Sequence, residues 1–429
     1  MRKVGIIVLL LAVVAVFGVA VFALENGRNE PEEKPEKVVI TILAGQSTSD
    51  AGVEDMIDEV IAEKFPGVEL EWECVDWGEK FDSRMQGRLA AGDVPDIIVG
   101  KAQDIHAYMD GGNLAPLQVE GMERLEKGVR DTVTIDGEVY GIPYNAWYQG
   151  VVYSKEIFEQ LQLKTPDTLE ELAQTVQILE DNGVTPFAAH FRESWKVGNM
   201  TMQFLLNNVF AQEADWGEQF RLGNRDFAGD MQIKECVEQN KYVLEHSWED
   251  ALMIEQYESD RRFAEGQAAM YLTGLWSLQA MNQYDTNVRY GFFPYPTKEG
   301  GASLIKETNM TFMMSETSKY QELINHIFTE LLQNEKLMQE ILGFTGTYPV
   351  VTDMMVTYES AVEEDIRSYE AENRIIDASI GNNQLIWRFQ NDLSEEILKW
   401  LKGEADLDEV LTYADEHRQE SGNIPIISK

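Results

Sequence analysis

The chain has 429 residues, more than one ordinary hydrophobic core holds, and its length predicts two lobes. Hydrophobic residues make up 44% of it and aromatic residues 10%, which excludes a wholly disordered protein. Its 35 basic and 75 acidic residues give a formal charge of -40, which repels nucleic acid and argues against an anionic ligand. Because the acids are spread along the chain, they indicate a solvated surface rather than a substrate site.

An apolar run of 21 residues, Val4 to Leu24, follows Met1-Arg2-Lys3. As a helix it would extend about 30 Å, enough to cross a bilayer, whereas the apolar part of a secretory signal is about 7 to 15 residues long. Residues 1–24 are therefore predicted to be an uncleaved membrane anchor or a signal peptide cleaved after Ala23, with the remaining chain outside the cytoplasm. Residues 25–37 are charged and contain proline, which predicts an acidic, extended tether.

The first globular segment predicts a parallel β-α-β unit. Val38 to Leu43 is an apolar run typical of a buried strand, and Val53 to Phe65 has helical periodicity. Pro66-Gly67 ends that helix, and Val68 to Cys74 supplies the second strand. A right-handed crossover makes the two strands parallel.

A predicted helix, Glu79 to Ala91, leads into the turn Gly92-Asp93-x-Pro95-Asp96-Ile97 and a buried strand. Open α/β sheets bind ligands beyond the carboxyl ends of their strands. Lys101 and Gln103, which follow this strand, are therefore candidate ligand contacts.

Thr132 to Tyr140 predicts a hairpin around the turn Asp136-Gly137. The aromatic residues Trp147 and Tyr148 follow in a segment that is expected to be an extended strand. Because neighbouring side chains of a strand point to opposite faces, we expect one of the two to meet a ligand. We favour Trp147 for that role over a role in core packing.

The second lobe is predicted to begin with helices. Thr168-Leu169-Glu170-Glu171 is a capping box, and Asn182-Gly183 ends the helix that it opens. The mixed aromatic and polar loop His190 to Trp195 precedes a helix predicted over Asn199 to Phe210.

The densest local signals lie between Phe263 and Pro296. Ala268 to Thr273 predicts a short buried strand, and Gly274 lets the backbone turn into the next helix. This places Trp276 in the first turn of that helix, in the crevice where open α/β sheets bind ligands. Val288 to Pro296 predicts a strand that leaves through two prolines, as a stiff crossing between two bodies.

The pattern Phe263-x-x-Gly266-x-Ala268-Ala269-Met270-x-x-x-Gly274-x-Trp276 resembles a signature of the extracellular solute-binding proteins of ABC sugar importers, the maltodextrin-binding type. Three further segments resemble motifs of the same family and occur in the expected order. They are Gly92-Asp93-x-Pro95-Asp96-Ile97, Gly291-x-x-Pro294 and Phe344-Thr345-Gly346-Thr347-Tyr348-Pro349-Val350.

The resemblance implies an α/β fold of the type II periplasmic-binding-protein kind, with two α/β lobes, a multi-strand hinge and a ligand cleft between the lobes. The implied lobe 1 contains residues 38–146 and 294–314. The implied lobe 2 contains residues 147–293 and 315–429.

The resemblance also implies a set of ligand-binding side chains. A pyranose has an apolar C–H face and a rim of hydroxyl groups, so its site needs aromatic platforms with polar groups nearby. The implied platforms are Trp276, Trp147, Trp387 and Trp195, and the implied polar or smaller contacts are Gln46, Ser47, Thr48, Lys101, Gln103, Arg192, Glu193 and Tyr348. For the loop Gln46 to Thr48, capping of the next helix is an equal alternative, and for Tyr348 so is core packing.

The implied function is that of a receptor without enzymatic activity, a monomer that captures a sugar or oligosaccharide and delivers it to ABC permease subunits. It would act in the periplasm or on the outer face of the cytoplasmic membrane, attached through its N-terminal segment. The family's lipoprotein form carries a cysteine at the end of the apolar run, and this chain departs from that pattern.

No catalytic, cofactor or metal site is predicted. The histidines, at positions 106, 190, 246, 326 and 417, have no metal-ligand spacing, and the sequence lacks a phosphate-binding glycine loop and a nucleophile elbow. The two cysteines, Cys74 and Cys236, fall in different predicted lobes. Since a disulfide between them would lock a cleft that must open, we predict two free, buried thiols.

Two alternatives remain open at this point. A carbohydrate-active enzyme of the glycosidase kind could use the same aromatic cleft. Glycosidases use a pair of carboxylates, but among 75 acidic residues such a pair can be found by chance and does not indicate an enzyme. A binding protein for another solute, such as a polyamine or peptide, would need two or more carboxylates facing an amine.

Overall fold

The computed structural model describes residues 37–46, 50–77, 79–281, 284, 288–356, 358, 361–378, 385 and 387–422. The strands are β1 Val38–Gln46, β2 Val68–Asp76, β3 Ile97–Gly100, β4 Thr134–Ile135, β5 Glu138–Val139, β6 Ile142–Pro143, β7 Ala146–Ser154, β8 Thr185–Ala188, β9 Ala268–Gly274, β10 Tyr290–Phe293, β11 Leu304–Thr308, β12 Thr311–Met314 and β13 Ile375–Asp377. The helices are α1 Val53–Lys64, α2 Glu79–Ala91, α3 Ile105–Asp110, α4 Lys127–Thr132, α5 Lys155–Gln160, α6 Leu169–Asp181, α7 Ser194–Asn208, α8 Trp216–Arg221, α9 Met231–Glu245, α10 Gln256–Ala264, α11 Leu275–Met281, α12 Gln321–Gln333, α13 Glu335–Thr345, α14 Ala361–Ala371, α15 Trp387–Leu401 and α16 Leu407–Glu416. The predicted anchor or signal, residues 1–24, lies outside the described residues, as does the predicted tether up to residue 36.

The first sheet has the strand order β2-β1-β3-β12-β6. Strand β1 is parallel to β2 and β3, whereas β12 is antiparallel to β3 and β6, so the predicted β-α-β unit is confirmed. Neighbouring residues of a strand face opposite sides. Ile42 therefore packs with α1, α12 and α13 on one side, and Leu43 packs with α2 on the other. This sheet and its helices form lobe 1.

The second sheet has the strand order β13-β11-β7-β9-β8, and β10 pairs with β7. Helices α6, α7, α9, α15 and α16 pack on one of its faces, and α10, α11 and α14 on the other. This sheet and its helices form lobe 2. Each lobe is thus a sheet between two helical layers, an arrangement that buries the apolar faces of both.

The connection between the lobes is held by Asn145, whose side chain is fully buried. Its side-chain oxygen accepts a hydrogen bond from the Met310 amide at 3.2 Å, and its Nδ2 donates to Thr347 Oγ1 at 3.1 Å. Its carbonyl accepts from the Asn309 amide at 2.9 Å. One asparagine therefore joins three separate segments of the chain at the hinge.

The structure divides the chain between the lobes differently from the sequence prediction. Strand β11 was not predicted, and it belongs to the second sheet, so the chain crosses between β11 and β12. Tyr295, between the two prolines, packs in lobe 2 against Phe204, with ring centroids 4.6 Å apart. Helices α12 and α13 pack in lobe 1, whereas the predicted boundaries give 294–314 to lobe 1 and 315–429 to lobe 2.

Several local predictions are confirmed. Strands β4 and β5 are joined by Asp136 and Gly137, both with positive φ, as a tight hairpin requires. The capping box of Thr168 and Glu171 is present at the start of α6. Helix α7, in contrast, begins at Ser194, five residues earlier than predicted.

The prediction of two free, buried thiols is half wrong. Both cysteines are free, and Cys236 is buried, but Cys74 is exposed. Cys74 lies on β2, which is an edge strand of the first sheet, so one side of this strand has no neighbouring strand to cover it.

Helices in the part of the chain that the structure describes are all too short or too polar to traverse a lipid bilayer.

Candidate functional site

Strand ends from both lobes meet at the junction between the lobes. In lobe 1, Trp77 and Lys101 follow the carboxyl ends of β2 and β3. In lobe 2, Trp276 follows the carboxyl end of β9, and Glu307 lies near the carboxyl end of β11, directly opposite Trp147 on β7. Residues from five strands, distant in sequence, are therefore placed where the lobes join.

The structure brings two of the predicted tryptophans together. The ring centroids of Trp147 and Trp276 are 6.5 Å apart, with the ring planes at 85°. Trp147 is 4% exposed, whereas Trp276 is only partly buried. Trp276 therefore presents indole surface, and Trp147 packs edge-on against it.

The position of Trp276 depends on Gly274. Its indole lies so close to the backbone of Gly274 that a β-carbon there would be 2.0 Å from the ring. The glycine chosen by sequence as a turn residue thus also lets the ring lie flat on the end of β9.

Lobe 1 has a matching aromatic residue, Trp77, that the sequence analysis missed. A β-carbon added at Gly45 of β1 would lie 2.1 Å from the Trp77 ring. The Lys101 ammonium lies 4.7 Å from the centroid of the same ring. The signal was available, because Trp77 follows the strand β2 directly, just as Trp276 follows β9.

A line of polar side chains crosses from lobe 1 into lobe 2, and we call it the polar chain. Lys101 Nζ lies 3.5 Å from Glu307 Oε1, and Gln149 Nε2 donates to Glu307 Oε2. Asn199 Nδ2 donates to Gln149 Oε1 at 2.9 Å, and Gln203 Nε2 donates to Asn199 Oδ1 at 3.1 Å. Of these five residues, only Lys101 was predicted as a site residue.

Two further contacts join the lobes around this region. Gln279, one turn after Trp276 in α11, donates from Nε2 to the carbonyl of Phe344 in lobe 1 at 3.4 Å. Asn391 Nδ2 of α15 lies 3.4 Å from Asp82 Oδ2 of α2. The helices that carry Trp276 and Trp387 therefore both reach lobe 1.

Arg192 and Glu193 are held by partners within lobe 2. Arg192 Nη1 pairs with Glu255 at 2.8 Å, and the Glu193 carboxylate accepts from the Gln256 amide at 2.8 Å. Burial would raise the pKa of Glu193, but the hydrogen bonds from His190 and the Gln256 amide lower it to about 2. These contacts fix the start of α10 to the loop after β8.

Trp195 lies partly buried beside the same loop. Its ring centroid is 5.3 Å from that of His190. Because α7 begins at Ser194, Trp195 belongs to the first turn of that helix and not to the preceding loop.

Tyr348 packs away from the tryptophan pair. Its ring lies 4.8 Å from that of Tyr148, edge to face, and its hydroxyl donates to Glu363 Oε2 at 3.2 Å. Burial and Glu363 raise the pKa of this hydroxyl, which therefore stays protonated at neutral pH. Tyr148 follows Trp147 on β7, so these tyrosines occupy the opposite face of the strand.

The remaining predicted residues divide as follows. Gln46 Nε2 donates to Glu54 Oε2 of α1 at 2.8 Å, and Gln103 is buried after β3. Ser47 and Thr48 lie outside the described residues. Trp387 is the first residue of α15, and the structure describes this helix but not the Trp387 side chain.

Within the described ranges, no group of three or more histidine, cysteine or acidic side chains is arranged to hold a metal ion. A surface groove of about 680 Å³ lies elsewhere on lobe 2, between α9 and the end of α15, and includes Tyr242 and Trp400. It shares no residue with the tryptophan pair or the polar chain.

Sequence comparison places the chain among known proteins. Residues 44–334 match the sequence model of the family described as bacterial extracellular solute-binding proteins. The multiple sugar-binding protein of Streptococcus mutans is 24% identical over 362 residues, which cover 81% of this chain and 82% of that protein. The maltodextrin-binding protein MdxE of Bacillus subtilis is 26% identical over 222 residues, covering 49% of this chain and 50% of that protein.

Solved structures share the fold. A chitin oligosaccharide binding protein superposes with a TM-score of 0.72 at 20% identity, over 89% of this chain and 99% of that chain. RafE, a protein of Streptococcus pneumoniae, in complex with raffinose superposes with a TM-score of 0.72 at 19% identity, over 90% of this chain and 100% of that chain. A sugar transporter protein of Bacillus licheniformis in complex with stachyose gives 0.73 at 16% identity, over the same shares. The predicted type II, two-lobe α/β fold is confirmed.

Proposed function

Because the chain belongs to the family of bacterial extracellular solute-binding proteins, we propose that it binds a neutral sugar or oligosaccharide between its lobes and delivers it to the permease of an ABC importer. One observation carries the proposal. The partly buried indole of Trp276 lies flat on Gly274 and is packed edge-on by Trp147, beside the polar chain that joins the lobes.

This arrangement fits the surface of a pyranose. The apolar C–H face of the sugar would pack on the indole of Trp276, with Trp77 as a second platform in lobe 1. The hydroxyl groups would exchange hydrogen bonds with the polar chain, in which Lys101 donates, Glu307 accepts and Gln149 does both. Because the charges of Lys101 and Glu307 cancel, the polar chain favours a neutral ligand over an amine or an acid.

The relatives support the same ligand class. Two are named for binding multiple sugars and maltodextrin, and the solved structures include complexes with raffinose and stachyose. These sugars differ in linkage and length but share uncharged pyranose rings. We therefore propose the class, a neutral oligosaccharide, rather than one compound.

The proposed mechanism is a shift in the balance between open and closed lobes. A ligand that touches Trp276 in lobe 2 and Lys101 in lobe 1 at once favours the arrangement in which both contacts exist. The permease would recognise that arrangement. The protein acts in this scheme as one chain outside the cytoplasm, and it catalyses no reaction.

A thermal-shift screen tests the proposal. Purified protein is heated with raffinose, stachyose, maltotriose, chitotriose or galactose, and we expect a saturable rise in Tm with at least one sugar and no products. Trp276→Ala should abolish the rise. Trp400→Ala, in the groove outside the cleft, is the matched control and should preserve it.

Two results would reject the proposal. Release of sugar products would favour the alternative of a carbohydrate-active enzyme. A rise in Tm with spermidine or a peptide, and with none of the sugars, would favour a binding protein for a different solute.

A further inference from the structure

Two contacts join the lobes outside the hinge strands. Gln279 Nε2 of α11 donates to the carbonyl of Phe344 in α13 at 3.4 Å. Asn391 Nδ2 of α15 lies 3.4 Å from Asp82 Oδ2 of α2. The proposed binding of a sugar assigns no role to either contact. We call these two contacts the end walls.

The end walls lie on opposite faces of the sheets. In lobe 2, α11 packs on one face of the second sheet and α15 packs on the other. In lobe 1, α13 packs on one face of the first sheet and α2 packs on the other. The cleft lies where the strand ends of the two sheets meet. One end wall therefore borders the cleft on each side, and the hinge strands with the polar chain form its bottom.

The first wall is built from the end of α13. A β-carbon added at Gly346, which ends this helix with a φ of 70°, would lie 3.7 Å from the side-chain amide of Gln279. A β-carbon added at Gly52 would lie 3.3 Å from the Phe344 ring. The end of α13 thus fills the space between α11 of lobe 2 and the start of α1 in lobe 1.

Stability of the fold does not account for the amide of Gln279. Its Oε1 is buried and has no hydrogen-bond partner within the part of the chain that the structure describes. Leaving an acceptor buried and unpaired is unfavourable. Closure of the cleft explains this amide better than support of the fold does.

The second wall lies beside the other indole. Helix α15 lies against α2, and Asn391 is one turn into α15. Asp82 is in the first turn of α2, five residues after Trp77. In the same way, Gln279 follows Trp276 by three residues in α11. Each proposed sugar platform therefore has an end wall next to it.

The distance between the end walls follows from the layered architecture. Helices that pack on opposite faces of one sheet have axes about 20 Å apart, since each layer adds about 10 Å. A helix with its side chains is about 10–12 Å wide, which leaves a gap of about 10 Å between the walls. This gap holds roughly two sugar rings, with room for a third at the open side of the cleft.

We propose that the end walls restrict the ligand to short oligosaccharides, of about three rings or fewer, whose two ends are both enclosed. The inference rests on the proposed function, because it narrows the sugar class. A five-ring chain that lies on both indoles extends past Gln279 or past Asn391. The lobes can close on it only if that end wall stays open, and its hydrogen bond is then lost.

Calorimetry with sugars of increasing length tests the inference in the unmodified full chain. The pairs are raffinose and verbascose, maltotriose and maltopentaose, and chitotriose and chitopentaose, each with three and five rings. In every pair that contains a ligand, we expect the five-ring sugar to bind about tenfold more weakly or worse.

The outcomes separate this inference from the proposed function. Five-ring sugars that bind as tightly as their three-ring partners would overturn the inference and leave the proposed function intact. Failure of all these sugars and of galactose to bind would overturn the proposed function, and the restriction on length with it.

Variants of the end walls show whether these contacts set the limit. Gln279→Ala opens one end and Asn391→Ala opens the other, so the double variant removes both walls. We expect the ratio of the two affinities to fall to about threefold or less in the double variant, with the three-ring sugar weakened by no more than about threefold. A single variant should lower the ratio when the chain extends past the end that it opens.

Gln177→Ala is the matched control. It also removes a side-chain amide from a helix of lobe 2, but Gln177 Nε2 donates to Asp181 of the same helix at 2.9 Å. This variant should keep the full ratio. A double variant that keeps the full ratio would show that the end walls do not limit the ligand, which overturns the inference. If the double variant does not fold, the two single variants give the same test.

Discussion

The indole of Trp276 lies on the backbone of Gly274 so closely that a β-carbon there would be 2.0 Å from the ring. In lobe 1, Gly45 and Trp77 have the same relationship, at 2.1 Å. In each lobe an indole is thus laid on a glycine near the carboxyl end of a strand. Each indole can keep its position only if the residue beneath it has no side chain.

Gly274→Ala is therefore expected to impair ligand binding without removing any group that contacts the ligand. The new methyl group must displace the Trp276 ring, because β9 is fully buried and its backbone cannot retreat. We expect an affinity loss of about tenfold or more for the sugar selected by thermal shift, measured by calorimetry, with the circular dichroism spectrum preserved.

Gly343→Ala is the matched control for this substitution. Gly343 lies in α13, and a β-carbon there meets no atom within 4 Å. We expect unchanged affinity and a gain in stability of up to about 1 kcal/mol, because alanine favours a helix more than glycine does. Equal affinities for Gly274→Ala and the unmodified protein would show that the ring is not held by the glycine.

The position of Trp276 in the first helical turn after Gly274 could be predicted from the sequence because its cause is local, whereas the packing of the ring on the glycine was not predicted. A buried strand, a glycine and an aromatic residue within nine positions leave few arrangements of the backbone. The capping box at Thr168 and the hairpin at Asp136 were predictable for the same reason. Each depends on contacts within a few residues, and so on chemistry that the sequence displays directly.

Features that depend on distant contacts were missed. Glu307 lies in β11, a short strand with the charged pair Lys306 and Glu307, and no local pattern marks such a segment as a sheet strand. The start of α7 was missed because Gly198 disfavours a helix. Gly198 is needed there because α15 packs so closely that a β-carbon would be 2.1 Å from Ser394 Oγ.

Glu307→Gln is expected to weaken ligand binding. The substitution keeps the shape of the side chain but leaves the Lys101 ammonium, which is 10% exposed, without its carboxylate partner. It also removes a charged acceptor from the proposed site. Since a charged hydrogen bond contributes about 1.5–3 kcal/mol, we expect the Kd to rise about tenfold or more. Calorimetric titration with the selected sugar measures this.

The neighbouring residue on β11 offers a control for Glu307. Lys306 points to the opposite face of the strand, and its Nζ pairs with Glu126 Oε1 of lobe 1 at 2.7 Å. Glu126→Gln also removes an ion pair between the lobes, but the side chain of Glu126 is 37% exposed and lies away from the tryptophan pair. We expect a loss of stability, because the buried Lys306 ammonium keeps its hydrogen bond to the Pro349 carbonyl but loses its charged partner, and an unchanged Kd. Equal effects of both variants on the Kd would exclude a specific role for Glu307.

The two cysteines are expected to differ in reactivity. Cys74 is exposed on β2, and burial of part of the side chain together with Glu54 raises its pKa to about 11. Burial raises the pKa of Cys236 to about 12. Iodoacetamide should therefore label Cys74 slowly at pH 7 and faster as the pH rises, because the thiolate is the nucleophile.

Cys236 should be labelled only after unfolding in urea. Mass spectrometry of tryptic peptides separates the two sites, and Cys74→Ser provides the control. Labelling of native Cys236 at the rate of Cys74 would contradict its burial in lobe 2.

His190 links the stability of lobe 2 to pH. Its imidazole is fully buried, and burial lowers the pKa from 6.5 to about 4, while the hydrogen bond to Glu193 opposes that shift. Between these two values the unfolded chain binds a proton that the folded protein does not bind. The free energy of unfolding therefore increases as the pH rises from 4 to 6.5.

His190→Gln is expected to flatten this dependence. From the shift in pKa, His190 accounts for a difference in unfolding free energy on the order of 3 kcal/mol between pH 4 and pH 6.5. Glu193, whose pKa is lowered, acts in the same direction, since its stabilising charge is lost as the pH falls, so part of the slope should remain. Urea unfolding at the two pH values gives the slope for each protein. His326→Gln, on the exposed side of α12, should leave the slope unchanged. If His190→Gln keeps the full slope, the imidazole is not the group that makes lobe 2 sensitive to acid.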